Sequence, residues 1–99
     1  MYGGQSFAVK FRADKTADPS IIFHIRDWFG EGENIRFLSE NEKSAEVQVT
    51  VNEQAMLYWS LQFGKAVEIL EPIKLRDEVG KVVKGMYEKY FGDEETVGL

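Results

Sequence analysis

Between positions 45 and 51 the chain reads AEVQVTV, with every second side chain apolar and every intervening one polar. Successive side chains on a strand point to opposite faces, so this run makes a strand with one dry face and one wet face. A sheet built around it can be covered by helices on one side only. Phe7, Val9 and Phe11 alternate in the same way with Ala8, Lys10 and Arg12, which gives a second strand under the same constraint. The wet face then collects Lys10, Arg12, Arg36, Glu46, Gln48 and Glu68, where charges pair across strands in contact with water.

The segments between these strands are helical. Asp18-Pro19 predicts an N-cap followed by the first helical residue. After it, Ile21, Ile22, Ile25, Trp28 and Phe29 share one helical face, with Phe23 on the opposite side and Gly30 as the stop. Residues 35–38 form a short strand and residues 40–43 a polar turn. Asn52 is a good N-cap for a second helix that runs to Phe63 and stops at Gly64. Residues 66–70 form the fourth strand, and Pro72 stands near the first turn of a last helix over 73–91. The order β-α-β-β-α-β-α predicts an α+β fold, a ferredoxin-like βαββαβ sandwich of four strands with two helices on one face and an additional C-terminal helix. Right-handed crossovers give strand order 4-1-3-2. A single domain over residues 6–91 is expected, with a Gly-rich lead over 1–5 and a flexible acidic tail over 92–99.

The last helix raises a packing problem. Leu75, Val79, Val82, Val83, Met86, Tyr87 and Tyr90 lie on one arc, with Lys74, Asp77, Glu78, Lys81, Lys84, Glu88 and Lys89 opposite. Each aliphatic side chain left wet forgoes roughly 1.5–3 kcal/mol, so the stripe needs cover. The charged sheet face is a poor surface for it. The second helix is better: Ala55, Met56, Trp59 and Phe63 face the sheet, while Leu57, Tyr58 and Leu61 lie nearly opposite. The last helix is therefore expected beside helix two, in its own chain or in a partner's. Leu57, Tyr58, Leu61, Leu75, Val79, Val82, Val83, Met86 and the off-core aromatic Phe23 are the candidate interface residues. Gly80 and Gly85 each cost a helix about 1 kcal/mol relative to Ala and permit close approach.

Little in the chain points to chemistry. A net charge of -5 argues against an autonomous nucleic-acid binder. With no cysteine there is no disulfide framework, thiol nucleophile or thiolate metal site. His24 is the only histidine and has no nucleophile at a recognisable spacing. Glu31, Glu33, Asp93, Glu94 and Glu95 fit no calcium-loop pattern. Gly30-Glu31-Gly32 is an incomplete and acidic version of a phosphate fingerprint. Gly64-Lys65 follows a helix and lacks the flanking Gly and Ser/Thr of a phosphate loop, so Gly64 is a helix stop. An RNA-recognition sheet would display aromatics, but Phe7 and Phe11 belong to the dry face. No catalytic, cofactor-binding or metal-binding residue is assigned, and no enzyme activity or cofactor is expected. The apolar runs are too short to cross a bilayer and no signal peptide opens the chain, which makes the cytoplasm the expected location.

The stretch MLYWSLQFGKAVEILEPIKLRDEVGKVVKGMYEKY, residues 56–90, resembles the end of the WYL-domain transcriptional regulators. Their C-terminal extension, the WCX domain, carries a Trp- and Leu-rich helix, a Gly, a strand ending in Leu-Glu-Pro, and Leu-Arg opening a last helix. Here these are Trp59, Leu61, Gly64, Val67, Leu70, Glu71, Pro72, Leu75 and Arg76. Upstream, VKF at 9–11 and a helix with Trp28 agree in outline, so the resemblance covers nearly the whole chain. It implies a ferredoxin-like domain of a bacterial helix-turn-helix regulator whose DNA-binding winged helix and WYL barrel this chain lacks. The expected function is dimerisation or regulation. The expected partners are a second copy and the rest of the regulator chain, without direct DNA or membrane binding. The alternative is a module that senses a small-molecule or nucleotide effector.

Overall fold

The computed structural model describes residues 6–30 and 32–92; the expected lead, Glu31 and residues 93–99 of the expected tail lie outside them. The elements are β1 (Ser6–Asp14), α1 (Ile21–Phe29), β2 (Ile35–Glu40), β3 (Ser44–Asn52), α2 (Glu53–Gln62), β4 (Val67–Glu71) and α3 (Ile73–Tyr87). A π-helical turn, Glu88–Gly92, continues α3. The last helix is therefore α-helical only to Tyr87 and not to Phe91. The sheet order is β2-β3-β1-β4, the expected 4-1-3-2 read from the other edge, and all three pairings are antiparallel.

Register explains the core. Val9 lies opposite Val49, Phe11 opposite Val47 and Ala13 opposite Ala45, while Ile69 of β4 lies opposite Phe11 on its other side. All of these are buried, because one register puts the alternating apolar residues of both central strands on the same face. On the wet face, Arg12 lies opposite Glu46 and Glu68 and forms ion pairs with both, at 3.6 and 3.0 Å. Lys10 pairs with Glu71 at 3.7 Å. Such exposed pairs add little stability. Their consequence is that charge occupies the middle of this face, which makes it a poor surface for a helix.

Trp59 organises the helical layer. It is fully buried, with ring centroids 5.4 Å from Phe11, 5.0 Å from Phe29 and 5.1 Å from Phe63. Ile21 and Ile25 of α1, Met56 of α2 and Leu75 of α3 complete the core. The indole Nε1 finds no acceptor among the described residues.

Two details of α1 differ from expectation. The helix opens at Ile21, not at Pro19. The Asp18 carboxylate accepts the Ser20 N–H and the Asp18 carbonyl accepts the Ile21 N–H, which closes a turn ahead of the helix in place of a cap. Trp28 is 53% exposed and outside the core. Phe29 takes the position between Phe11 and Trp59 that a broader stripe would have shared with it. Gly30 does end α1: its φ of 79° lies in the left-handed region, and its N–H bonds to the Arg26 carbonyl. Gly64 is required for a different reason. A Cβ there would stand 3.3 Å from the Leu61 carbonyl oxygen and 3.4 Å from that of Ser60, so only the bare backbone fits comfortably against the end of α2.

Asn52 caps α2 as expected, its side-chain oxygen accepting the N–H groups of Gln54 and Ala55 at 2.9 and 3.2 Å. Asn52→Ala is expected to lower unfolding stability by about 1 kcal/mol and Asn52→Gly by only a few tenths. Urea denaturation checks this: the midpoint falls while the slope is unchanged.

Candidate interaction surface

The surface that matters is built by α3. Pro72 stands at its N-cap, and the first two turns are fastened within the chain. Leu75 is fully buried. Val79 is half-buried against the core cluster. Arg76 Nη1 donates to Glu68 Oε2 at 3.0 Å and to the Ile69 carbonyl at 2.6 Å. These contacts seat the base of α3 between α2 and the β4 edge, beside helix two as the stripe requires.

Beyond Val79 the stripe emerges into solvent. Val82, Val83, Met86 and Tyr87 are exposed, and so are Tyr90 and Phe91 in the π-helical turn. Tyr87 and Phe91 stack on each other at 5.2 Å, which covers only part of each ring. An apolar strip of this length on one helix end is more than scattered surface hydrophobics.

The candidate interface residues thus separate. Leu75 is sealed inside the monomer, so it cannot lie at an interface formed by the folded chain. This corrects the expectation for it: the α3 stripe starts in the core before it reaches the surface. Leu57, Leu61 and Val79 are half-buried in their own chain, and Leu57 packs against the core cluster instead of facing away from it. Val82, Val83 and Met86 stay exposed together on α3. Tyr58 on α2 and Phe23 on α1 are exposed on other elements, at 71% and 66%. The residues of the Leu-Glu-Pro stretch are structural: Leu70 is half-buried and Glu71 pairs with Lys10.

His24 is half-buried, 4.8 Å from the Phe63 ring and 5.7 Å from Phe23, a packing position. Asp14 is held below its ordinary pKa by the Thr16 hydroxyl, then by the Thr16 and Ala17 backbone N–H groups, and it shapes the turn after β1. Among the described residues, no three His, Asp or Glu side chains are grouped to hold a metal. None of the described helices is long and apolar enough to cross a membrane.

One contact between α2 and α3 escapes periodicity altogether. Glu78, on the polar arc of α3, meets Glu53 at the start of α2. Its pKa is raised from the ordinary 4.5 mainly by the hydrogen bond with Glu53, then by desolvation and by repulsion from the Glu53 carboxylate; Lys74 and Lys81 act in the opposite direction. Only the crossing of the two helices brings these carboxyl groups together, and no signal in either segment marks it. Phe91 was likewise outside the stripe drawn from the sequence, because the π-helical turn changes the angular step after Tyr87.

Comparison with known proteins agrees with this layout. The model of the WCX domain family matches residues 6–87. The chain is 32% identical over 73 residues, 73% of its length, to the uncharacterized HTH-type transcriptional regulator YobV of Bacillus subtilis (strain 168). It spans 23% of that relative's length. No solved structure matches.

The Glu53–Glu78 contact gives a pH dependence with a definite sign. A carboxyl whose folded pKa lies above its unfolded value stabilises the fold when protonated, and that contribution is lost as pH rises through the folded pKa. Relative to the Glu78→Gln variant, the wild type should therefore lose thermal stability as pH climbs above 4.5. Melting temperatures of both proteins across the acid-to-neutral range check this. A constant difference between them would show that the carboxyl pair is not felt.

Proposed function

This chain belongs to the WCX domain family, and from that premise we propose that it is the C-terminal dimerisation or regulatory domain of a bacterial WYL-family transcriptional regulator. The observation that carries the reading is the second half of α3. There Val82, Val83, Met86 and Tyr87 form an apolar strip that the chain's own core does not reach. A second copy would cover the strip by antiparallel packing of two such helix ends, with Gly80 and Gly85 admitting close approach. The similarity to the Bacillus HTH-type transcriptional regulator supports placement in a transcription factor, and the rest of such a regulator would be a further partner. In this reading the domain works in the cytoplasm, makes no direct DNA contact and catalyses nothing. Its net charge of -5 suits a part that stands away from phosphate.

Sensing of a small molecule or nucleotide by this domain has less support. The grooves beside α3 are open, whereas small ligands are normally held in enclosing clefts with converging polar groups.

Sedimentation velocity over a concentration series tests the dimer. The wild type should shift toward a dimer with concentration. Val83→Asp with Met86→Asp should raise the dissociation constant at least about 30-fold, because a carboxylate buried without a partner costs several kcal/mol. Both positions are surface-exposed in the monomer, so the circular dichroism spectrum should be unchanged. A wild type that stays strictly monomeric at high micromolar concentration would overturn dimerisation through this domain alone.

A further inference from the structure

A different surface lies on the β4 side of α3. A groove of 640 Å3 runs between the helix and the strand. It continues into one of 430 Å3 on the α2 side, and the two share Gly64, Val67, Val79 and Val83. The shared floor is aliphatic. The rim is cationic: Lys81 and Lys84 stand on α3, and Lys65 on the turn before β4. Among the described residues none of these three lysines has an ion-pair partner, whereas the groove's Glu68 is already engaged by both Arg12 and Arg76. Asp77 is the other carboxylate in the lining. A patch of excess positive charge over an apolar floor is unusual in a chain of net charge -5.

The backbone adds a second observation. Among the described residues, β4 is an edge strand paired only with β1. The Ala66 carbonyl accepts the Asp14 N–H and so points toward β1, while the Ile69 carbonyl accepts Arg76 on the opposite side. The N–H and C=O groups of one residue in an antiparallel strand point the same way, and they alternate along the chain. Val67 and Ile69 therefore direct their backbone groups to the free edge, into the groove that both line.

From these features we propose that the β4–α3 groove docks an extended peptide segment of a partner protein, in which aliphatic side chains alternate with carboxylates. The segment adds to the sheet as a fifth strand. Its backbone bonds both main-chain groups of Val67 and the N–H of Ile69, the Ile69 carbonyl being held by Arg76. Its aliphatic side chains lie over Val67, Val79 and Val83, and its carboxylates meet Lys65, Lys81 and Lys84. Main-chain bonding supplies affinity in such strand addition, and the alternating side chains supply selectivity. An edge strand left open beside an apolar floor is otherwise an aggregation hazard. This goes beyond the dimer reading and does not require it.

The test is a titration of the isotope-labelled chain, followed by amide NMR, with an octapeptide that alternates Val and Glu. Its Val/Gln counterpart is the control. The acidic peptide should shift the Val67 and Ile69 amides saturably and slow hydrogen exchange at the Val67 N–H. The Gln peptide should bind about 10-fold more weakly, and so should the acidic peptide to Lys81→Glu with Lys84→Glu, since each change removes the charge complementarity of the rim. Repeating the titration on Tyr87→Asp, at a strip position that lines neither groove, keeps the result separate from dimerisation. Absence of saturable shifts at Val67 and Ile69, or equal affinity for the two peptides, would overturn the proposal.

Discussion

The positions of α1 and α2 above the sheet are referred to one side chain. Trp59 is closed in by Phe11 from the central strand, Phe29 from the end of α1 and Phe63 from the residue after α2. Aromatic contacts of this kind are worth about 0.5–1.5 kcal/mol each beyond the area they bury. Their geometric effect is larger than their energy. A rigid indole held by three rings fixes the height of α2 above the sheet and the place where α1 must stop. The short residues Ala13 and Ala45 pair with each other across β1 and β3 at the far end of the same face. The bulky contacts are thus concentrated around the tryptophan.

A second constraint follows from the charged side of the sheet. Arg12 holds both Glu46 and Glu68, and Arg76 reaches Glu68 from α3. Four elements, β1, β3, β4 and α3, therefore share one exposed network of charges. An extra helix that enters such a fold after β4 cannot lie on that side without stranding charges. It also finds the helical side already occupied by α1 and α2. What remains is the seam between α2 and the β4 edge, and that seam is short. Leu75 and Val79 fill it, and the turns of α3 beyond Val79 leave their apolar side chains exposed.

Much of this was visible in the amino-acid sequence, for identifiable reasons. Strand alternation at 7–11 and 45–51 is a property of neighbouring residues, so it survives tertiary packing, and the strand order follows from it with crossover handedness. The Asn52 cap and the Gly30 stop are equally local. Trp28 was misplaced because helical periodicity gives the direction of a side chain and not the extent of the surface it meets; Phe29 had already filled the available core. The start of α1 moved because Asp18 could serve either as a cap or as a turn former, and both uses employ the same oxygen atoms. On the candidate surface, the apolar stripe was legible, but the point where it leaves the core was not. Leu75 and Val83 differ in fate through the length of the seam, which no pattern within the helix records. The encounter of Glu53 with Glu78 and the open edge at Val67 and Ile69 depend on pairs of elements, and they become visible only once those elements are placed.

The bond from Arg76 to the Ile69 carbonyl has a mechanical consequence. It clamps the root of a helical arm roughly 30 Å long, counting the π-helical turn, at 1.5 Å per residue. An arm held only at its root behaves as a lever. A sideways force applied near Tyr90 is returned as a turning moment on the clamp, and through it on the outermost strand of the sheet. Whatever grips the free end of α3 thus also twists β4 against β1, with Arg76 as the pivot.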